Sequence, residues 1–234
     1  MKTLLLRLEG PMQSWGTSSR FSERDTGLEP SKSGVIGLLC AALGKPRLEE
    51  PTDTDRWPEL SRLTSIRMGV RVDRPGKVGV DFQTAGGGRL GHREYGVAKA
   101  DGSKGESVMS WRYYLQDASF LVGLESGEDD LLQHLQAALK QPVWALSLGR
   151  KSYVPSVPVF LRDGLQDGDL ETVLGRYPLA DQANGEAGGR VRVILDDPRG
   201  GEVRADLPLD FARRRFGIRP VRVESIPTPG STLK

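Results

Sequence analysis

Ile66-Arg67-Met68-Gly69-Val70-Arg71-Val72-Asp73 is the stretch on which the fold turns. Ile66, Met68, Val70 and Val72 alternate with Arg67, Gly69, Arg71 and Asp73, a period of two that predicts a half-buried strand. Directly afterwards the pattern breaks. From about 78 to 108 no apolar period is sustained, and Gly86, Gly87, Gly88, Gly91, Gly96, Gly102 and Gly105 punctuate the chain. So long a stretch without core pattern is uncommon inside a compact domain and is usually functional or disordered. It is therefore expected to project as an insertion. Beyond it, residues 118–124 return as a strand, and Leu131, Leu132, Leu135, Ala138 and Leu139 mark an amphipathic helix.

Working back, residues 2–8 form an apolar run fit for a buried strand, ended by Gly10-Pro11. A polar loop from Met12 to about Lys32 follows. Ser33 is the expected N-cap of a helix carrying Val35, Ile36, Leu38, Leu39, Ala42 and Leu43, stopped by Gly44 and Pro46. A short helical turn is expected near Leu60, and a last strand from Val143 onward. Strand, helix, strand, insertion, strand, helix, strand is the order of an α+β, ferredoxin-like βαββαβ domain. It is expected over residues 1–160, with the insertion at 78–108. Residues 161–234 are expected to be a small C-terminal extension, partly β at 190–195 and 221–226, with a loose tail from Pro227.

At 234 residues the chain is long enough to bury a core without staples. Apolar residues at 37% and charged residues at 27% exclude a disordered composition. Cys40 has no second cysteine to pair with, which points to a cytoplasmic home. No apolar run approaches the roughly 20 residues that span a bilayer, and the N-terminal segment is too soon interrupted by charge for a signal peptide. The net charge of +2 announces no partner by itself, but the charges are segregated. Acids gather at Glu125, Glu128, Asp129 and Asp130, and bases at Arg150 and Lys151 and at Arg213, Arg214 and Arg215. A near-neutral chain with that segregation can still present a basic face.

Four segments are more specific. Gly10-Pro11-Met12-Gln13-Ser14-Trp15-Gly16 follows the first strand, and Pro30-Ser31-Lys32-Ser33-Gly34-Val35-Ile36-Gly37 opens the first helix. Trp111-Arg112-Tyr113-Tyr114-Leu115-Gln116-Asp117 leads into the third strand, and Leu148-Gly149-Arg150-Lys151-Ser152 follows the second helix. In this order they resemble the Cas-five family of CRISPR-associated proteins, in its CasD-type branch from type I-E Cascade. The resemblance runs over about residues 1–160 and continues faintly at Asp210-Phe211-Ala212-Arg213. It implies an RNA-recognition-like domain with a protruding thumb. It also implies a non-catalytic subunit that caps the 5′ handle of the CRISPR RNA and abuts the Cascade backbone and large subunits. Target DNA would be met only through the complex.

Residue chemistry supplies concrete candidates. Ser31, Lys32, Ser33 and Gly34 stand where helix N–H groups and the helix dipole can receive a phosphate, although Ser33 serves equally as a cap. Gly149, Arg150, Lys151 and Ser152 put two cations on a flexible turn, suited to phosphate and equally to solvent. Gln13, Ser14 and Trp15 offer hydrogen bonds and stacking to unpaired bases, with the alternative that Trp15 covers the sheet edge as core. In the insertion, Arg89, His92, Arg93, Tyr95, Lys99 and Lys104 interleave cations with an aromatic ring, as a nucleic-acid arm does or as a solvated loop does. Trp111, Tyr113 and Tyr114 are expected to anchor its base in the core.

Catalysis finds little support. His92 and His134 have no metal-ligand spacing, and neither a phosphate-binding loop nor a two-metal carboxylate set is present. No cofactor or metal is expected. The alternative is a metal-independent endoribonuclease processing precursor CRISPR RNA, as in the family's type I-C branch, through His92 or a Tyr–Lys pair.

Overall fold

The computed structural model describes residues 1–20, 22–48, 56–86, 88–90, 93–95, 97–98, 104–105, 107–180 and 189–229. In chain order the elements begin with β1 (Lys2–Gln13), β2 (Ser19–Arg20), β3 (Glu23–Arg24), α1 (Lys32–Leu43), α2 (Leu60–Ser65) and β4 (Arg67–Arg74). The insertion contributes β5 (Lys77–Ala85), β6 (Gly88–Leu90), β7 (Arg93–Tyr95), β8 (Val97–Ala98) and β9 (Lys104–Gly105). After it come β10 (Val108–Ser126), α3 (Asp129–Lys140), β11 (Phe160–Asp167), α4 (Leu170–Arg176), β12 (Arg190–Asp196), β13 (Glu202–Asp210) and β14 (Arg215–Pro227). The class is α+β. One large sheet runs in the order β11-β1-β10-β4-β12-β14-β13, antiparallel at every step.

Alternation along the central strands divides two cores. Leu4, Leu6 and Leu8 of β1 join Met68, Val70, Phe120, Val122 and Leu124 beneath α1 and α3. Leu5 and Leu121 face the other way, against Leu170, Val173 and Leu174 of α4. That second layer corrects the expectation of a half-buried strand at 66–73, because α4 covers the face carrying Gly69 and Arg71. Gly69 and Gly123 lie opposite each other across β4 and β10. A Cβ at Gly69 would press on Leu174 and Leu195 at 2.8 Å, and one at Gly123 on Leu170 at 2.6 Å. The paired glycines thus form the seat of α4. Arg71 is fully buried there, and its guanidinium donates to the carbonyls of Leu174, Tyr177 and Pro178 at 2.5, 2.5 and 3.0 Å. These groups at a helix C-terminus would otherwise lack partners. Asp73, itself paired with Arg7, balances the charge at 2.6 Å.

Three further expectations change. The strand placed from Val143 onward lies instead at β11, since 142–159 carries Pro142, Pro155 and Pro158 and folds as turns. A boundary after residue 160 falls inside that strand, and β12–β14 continue the same sheet beyond β4. Part of the patternless insertion is regular: β5 pairs with the first half of β10 from Lys77↔Gln116 to Ala85↔Val108, forming a two-stranded arm. Within it, β6 pairs with β7 and β8 with β9.

Candidate nucleic-acid interface

The turn after α3 is built to hold its shape. Leu148 N–H donates to the Tyr153 carbonyl at 2.8 Å and Tyr153 N–H to the Arg150 carbonyl at 2.9 Å. Ser14 N–H donates to the Leu148 carbonyl at 3.0 Å, docking the turn on the end of β1. Gly149 has φ of 93°, and a Cβ there would overlap the Ser14 carbonyl oxygen, so only glycine fits. The turn is therefore rigid where flexibility was expected.

Arg150 is aimed by its neighbours. Its Nη1 donates to the Tyr153 hydroxyl at 2.7 Å, its guanidinium carbon lies 5.3 Å from the Tyr153 ring centre, and Nη2 donates to the Arg24 carbonyl at 3.3 Å. Lys151 and Ser152 are exposed beside it. Arg24 in turn sits opposite Arg112, because β3 pairs in parallel with β10 at Trp111↔Glu23 and Arg112↔Arg24. Trp111 N–H also donates to the Ser22 carbonyl at 2.8 Å. The base of the arm thus adjoins the turn, and Arg24, Arg112, Arg150 and Lys151 form one basic corner. Phe82 and Trp111 stack obliquely on the arm's other face, since successive strand side chains alternate, with ring centres 5.4 Å apart and both substantially exposed. Exposed aromatic faces suit the bases of an unpaired strand. Trp111 is thus turned outward rather than into the core as expected, whereas Tyr114 does pack against the core.

The candidates on α1 come out differently. Ser31, not Ser33, is the N-cap, accepting from Gly34 N–H at 3.2 Å. Lys32 N–H donates to the Asp206 carboxylate at 2.7 Å, so the positive end of the helix already holds an anion from its own chain. Lys32 is only 4% exposed, with Nζ on the Ile66 carbonyl and on Asp196, both at 2.8 Å. Gly34 serves packing: a Cβ there would meet the Trp15 ring at 2.8 Å. This overturns Lys32 and the helix start as a phosphate cradle.

Gln13 is 0% and Trp15 1% exposed. Gln13 donates to the Leu8 and Ala118 carbonyls at 3.2 and 2.7 Å and accepts from Trp15 Nε1 at 3.1 Å. Both are core, and base stacking by Trp15 is corrected on that ground. Ser14 is buried and spends its hydroxyl on the Tyr113 carbonyl at 3.3 Å. Of the arm candidates, Arg89, Arg93, Tyr95 and Lys104 fall on β6, β7 and β9, while His92 and Lys99 lie outside the described residues. Arg24, Arg112 and Phe82 escaped sequence reasoning. The basic, aromatic Arg20–Arg24 and Trp111–Tyr114 segments were the available signal for the first two.

The architecture defines a sheet protein with a rigid basic corner and a pair of exposed rings on its arm. The chain belongs to the family described as CRISPR-associated protein (Cas_Cas5), which matches residues 3–222. It is similar to the CRISPR system Cascade subunit CasD of Escherichia coli (strain K12), 32% identical over 228 residues that cover 92% of this chain and 94% of the relative. Among solved structures it resembles a chain of a CRISPR RNA-guided surveillance complex, with a TM-score of 0.75, 36% identity, and coverage of 97% of this chain and 91% of that one. A crystal structure of a Cas protein gives a TM-score of 0.71 and 42% identity over 97% of both chains. No helix among the described residues is long and apolar enough to cross a membrane.

Proposed function

We propose that this chain is a non-catalytic subunit of a type I-E Cascade surveillance complex, binding and capping the 5′ handle of the CRISPR RNA in antiviral defence. The names of its relatives support the complex, and the observation that carries the RNA contact is the rigid corner of Arg24, Arg112, Arg150 and Lys151. On this reading β1, α1, β4, β10, α3 and β11 are a ferredoxin-like unit, which the strand order β11-β1-β10-β4 supports. The β5–β10 arm, with the strands that hold Arg89, Arg93, Tyr95 and Lys104, is its thumb, a contact for RNA and the neighbouring backbone subunit. The large subunit is the other protein partner. Grip rather than reaction suits the chemistry: Arg150 is held in place by Tyr153, and guanidinium cations bind phosphate without serving as general bases.

The test is a salt titration of handle RNA binding. Replacing Arg150 and Lys151 by Ala is expected to weaken binding and to lower the slope of log K against log salt by about 0.7 for each phosphate no longer neutralised. A slope equal to that of the unaltered chain would remove this turn from the site.

A further inference from the structure

The β13–β14 hairpin carries cations that the proposed handle site does not use. Arg213 and Arg214 stand in its turn and Arg215 opens β14 opposite Asp210, all three exposed. The turn is fixed from within. Asp210 accepts Arg213 N–H at 2.8 Å and pairs with its side chain at 3.1 Å, and Arg214 takes a left-handed backbone at φ of 53°. Below the turn, Arg219 is buried between Asp206, at 2.7 Å, and Asp196, the same carboxylates that meet Lys32. The hairpin is thereby locked to the start of α1.

Arg214 and Arg215 pair with no carboxylate among the described residues. Phe216 follows with 46% of its surface exposed. Like charges on successive residues at the end of a hairpin repel each other, and an anion bridging them relieves that repulsion. Guanidinium groups match phosphate oxygens in geometry, and an adjacent open ring provides a stacking platform for a base. An acidic peptide would satisfy the charges but leave the ring without a role. We infer that this hairpin tip is a further contact for single-stranded nucleic acid, with Arg214 and Arg215 on successive phosphates and Phe216 under a base.

The full-length chain would be titrated with short oligouridine RNA, the matching oligothymidine DNA, and a duplex control. The variant is Arg214→Gly with Arg215→Ala, since glycine accepts the left-handed backbone at 214. The slope of log K against log salt is expected to fall by about 1.4 for single strands, from two phosphates. Phe216→Ala is expected to cost roughly tenfold in single-strand affinity and nothing for duplex, whose bases are already stacked. An effect on RNA alone assigns the site to the guide, and an equal effect on DNA assigns it to either strand. Unchanged slopes on both strands would overturn the inference. Phenylglyoxal labelling of the unaltered chain decides independently of variant folding: saturating oligonucleotide should protect Arg214 and Arg215, and undiminished labelling contradicts the site. Repeating the titrations with Arg150 and Lys151 already replaced keeps this contact separable from the handle site.

Discussion

Lys32 shows how much a single residue's role depends on distant chain. Its ammonium lies between the Ile66 carbonyl and Asp196, and its amide meets Asp206, 174 positions later. With Lys32 removed, Asp196 and Asp206 share Arg219 alone, which leaves one carboxylate charge unbalanced at up to about 3–5 kcal/mol. Lys32→Ala is therefore expected to lose about that much in urea unfolding, while the protein that remains folded binds handle RNA with undiminished affinity. A stable variant with weakened binding would instead return Lys32 to the RNA site. Local pattern could place Lys32 at a helix start but could not reveal its partners, which is why it looked like a phosphate ligand. Gln13 and Trp15 were opaque for the same reason, because their burial depends on the carbonyls of Leu8 and Ala118 and on Gly34.

Among the elements, those with one strong period were legible. Ile66 to Asp73 gave β4 and Leu131 to Leu139 gave α3, with Leu131, Leu132, Leu135 and Leu139 all buried. β11 was hidden by a register shift between Leu4 and Leu6 of its partner β1, and by apolar residues spaced unevenly at Phe160, Leu161 and Leu165. β5 alternates Val78, Val80 and Phe82 outward to solvent, so its period marks no core. α4 is too short to show a period, yet its end is tied down by Arg71 and by Tyr177, whose hydroxyl donates to Asp163 at 2.8 Å. Burial first, then that bond, pushes the Tyr177 phenol up to about 12. The unfolded chain holds the same proton with a value of about 10. The contribution is accordingly complete below pH ~10 and vanishes as the pH rises toward about 12. Between those limits the urea midpoint of the unaltered chain should fall more steeply than that of Tyr177→Phe; parallel profiles would show that the phenol is not held this way.

At the scale of the molecule, one sheet joins what sequence divided at residue 160. β11 flanks β1 on one side while β12 extends from β4 on the other, so the C-terminal third completes the scaffold that aims the basic corner. The corner itself is assembled from three separated stretches, at Arg24, Arg112 and Arg150, which explains why only the Arg150 turn was visible in the chain. Family resemblance supplied the proposed role, and packing that engages Lys32 and the start of α1 within the fold leaves the Arg150 corner as the proposed grip. The most direct measurement is photo-crosslinking of the assembled complex carrying 4-thiouridine in the 5′ handle, with the attached peptides identified by mass spectrometry. Crosslinks are expected in the peptides containing Arg24, Trp111–Arg112 and Gly149–Ser152. Handle crosslinks confined to the peptide around Lys32, or absent from this chain altogether, would contradict the account.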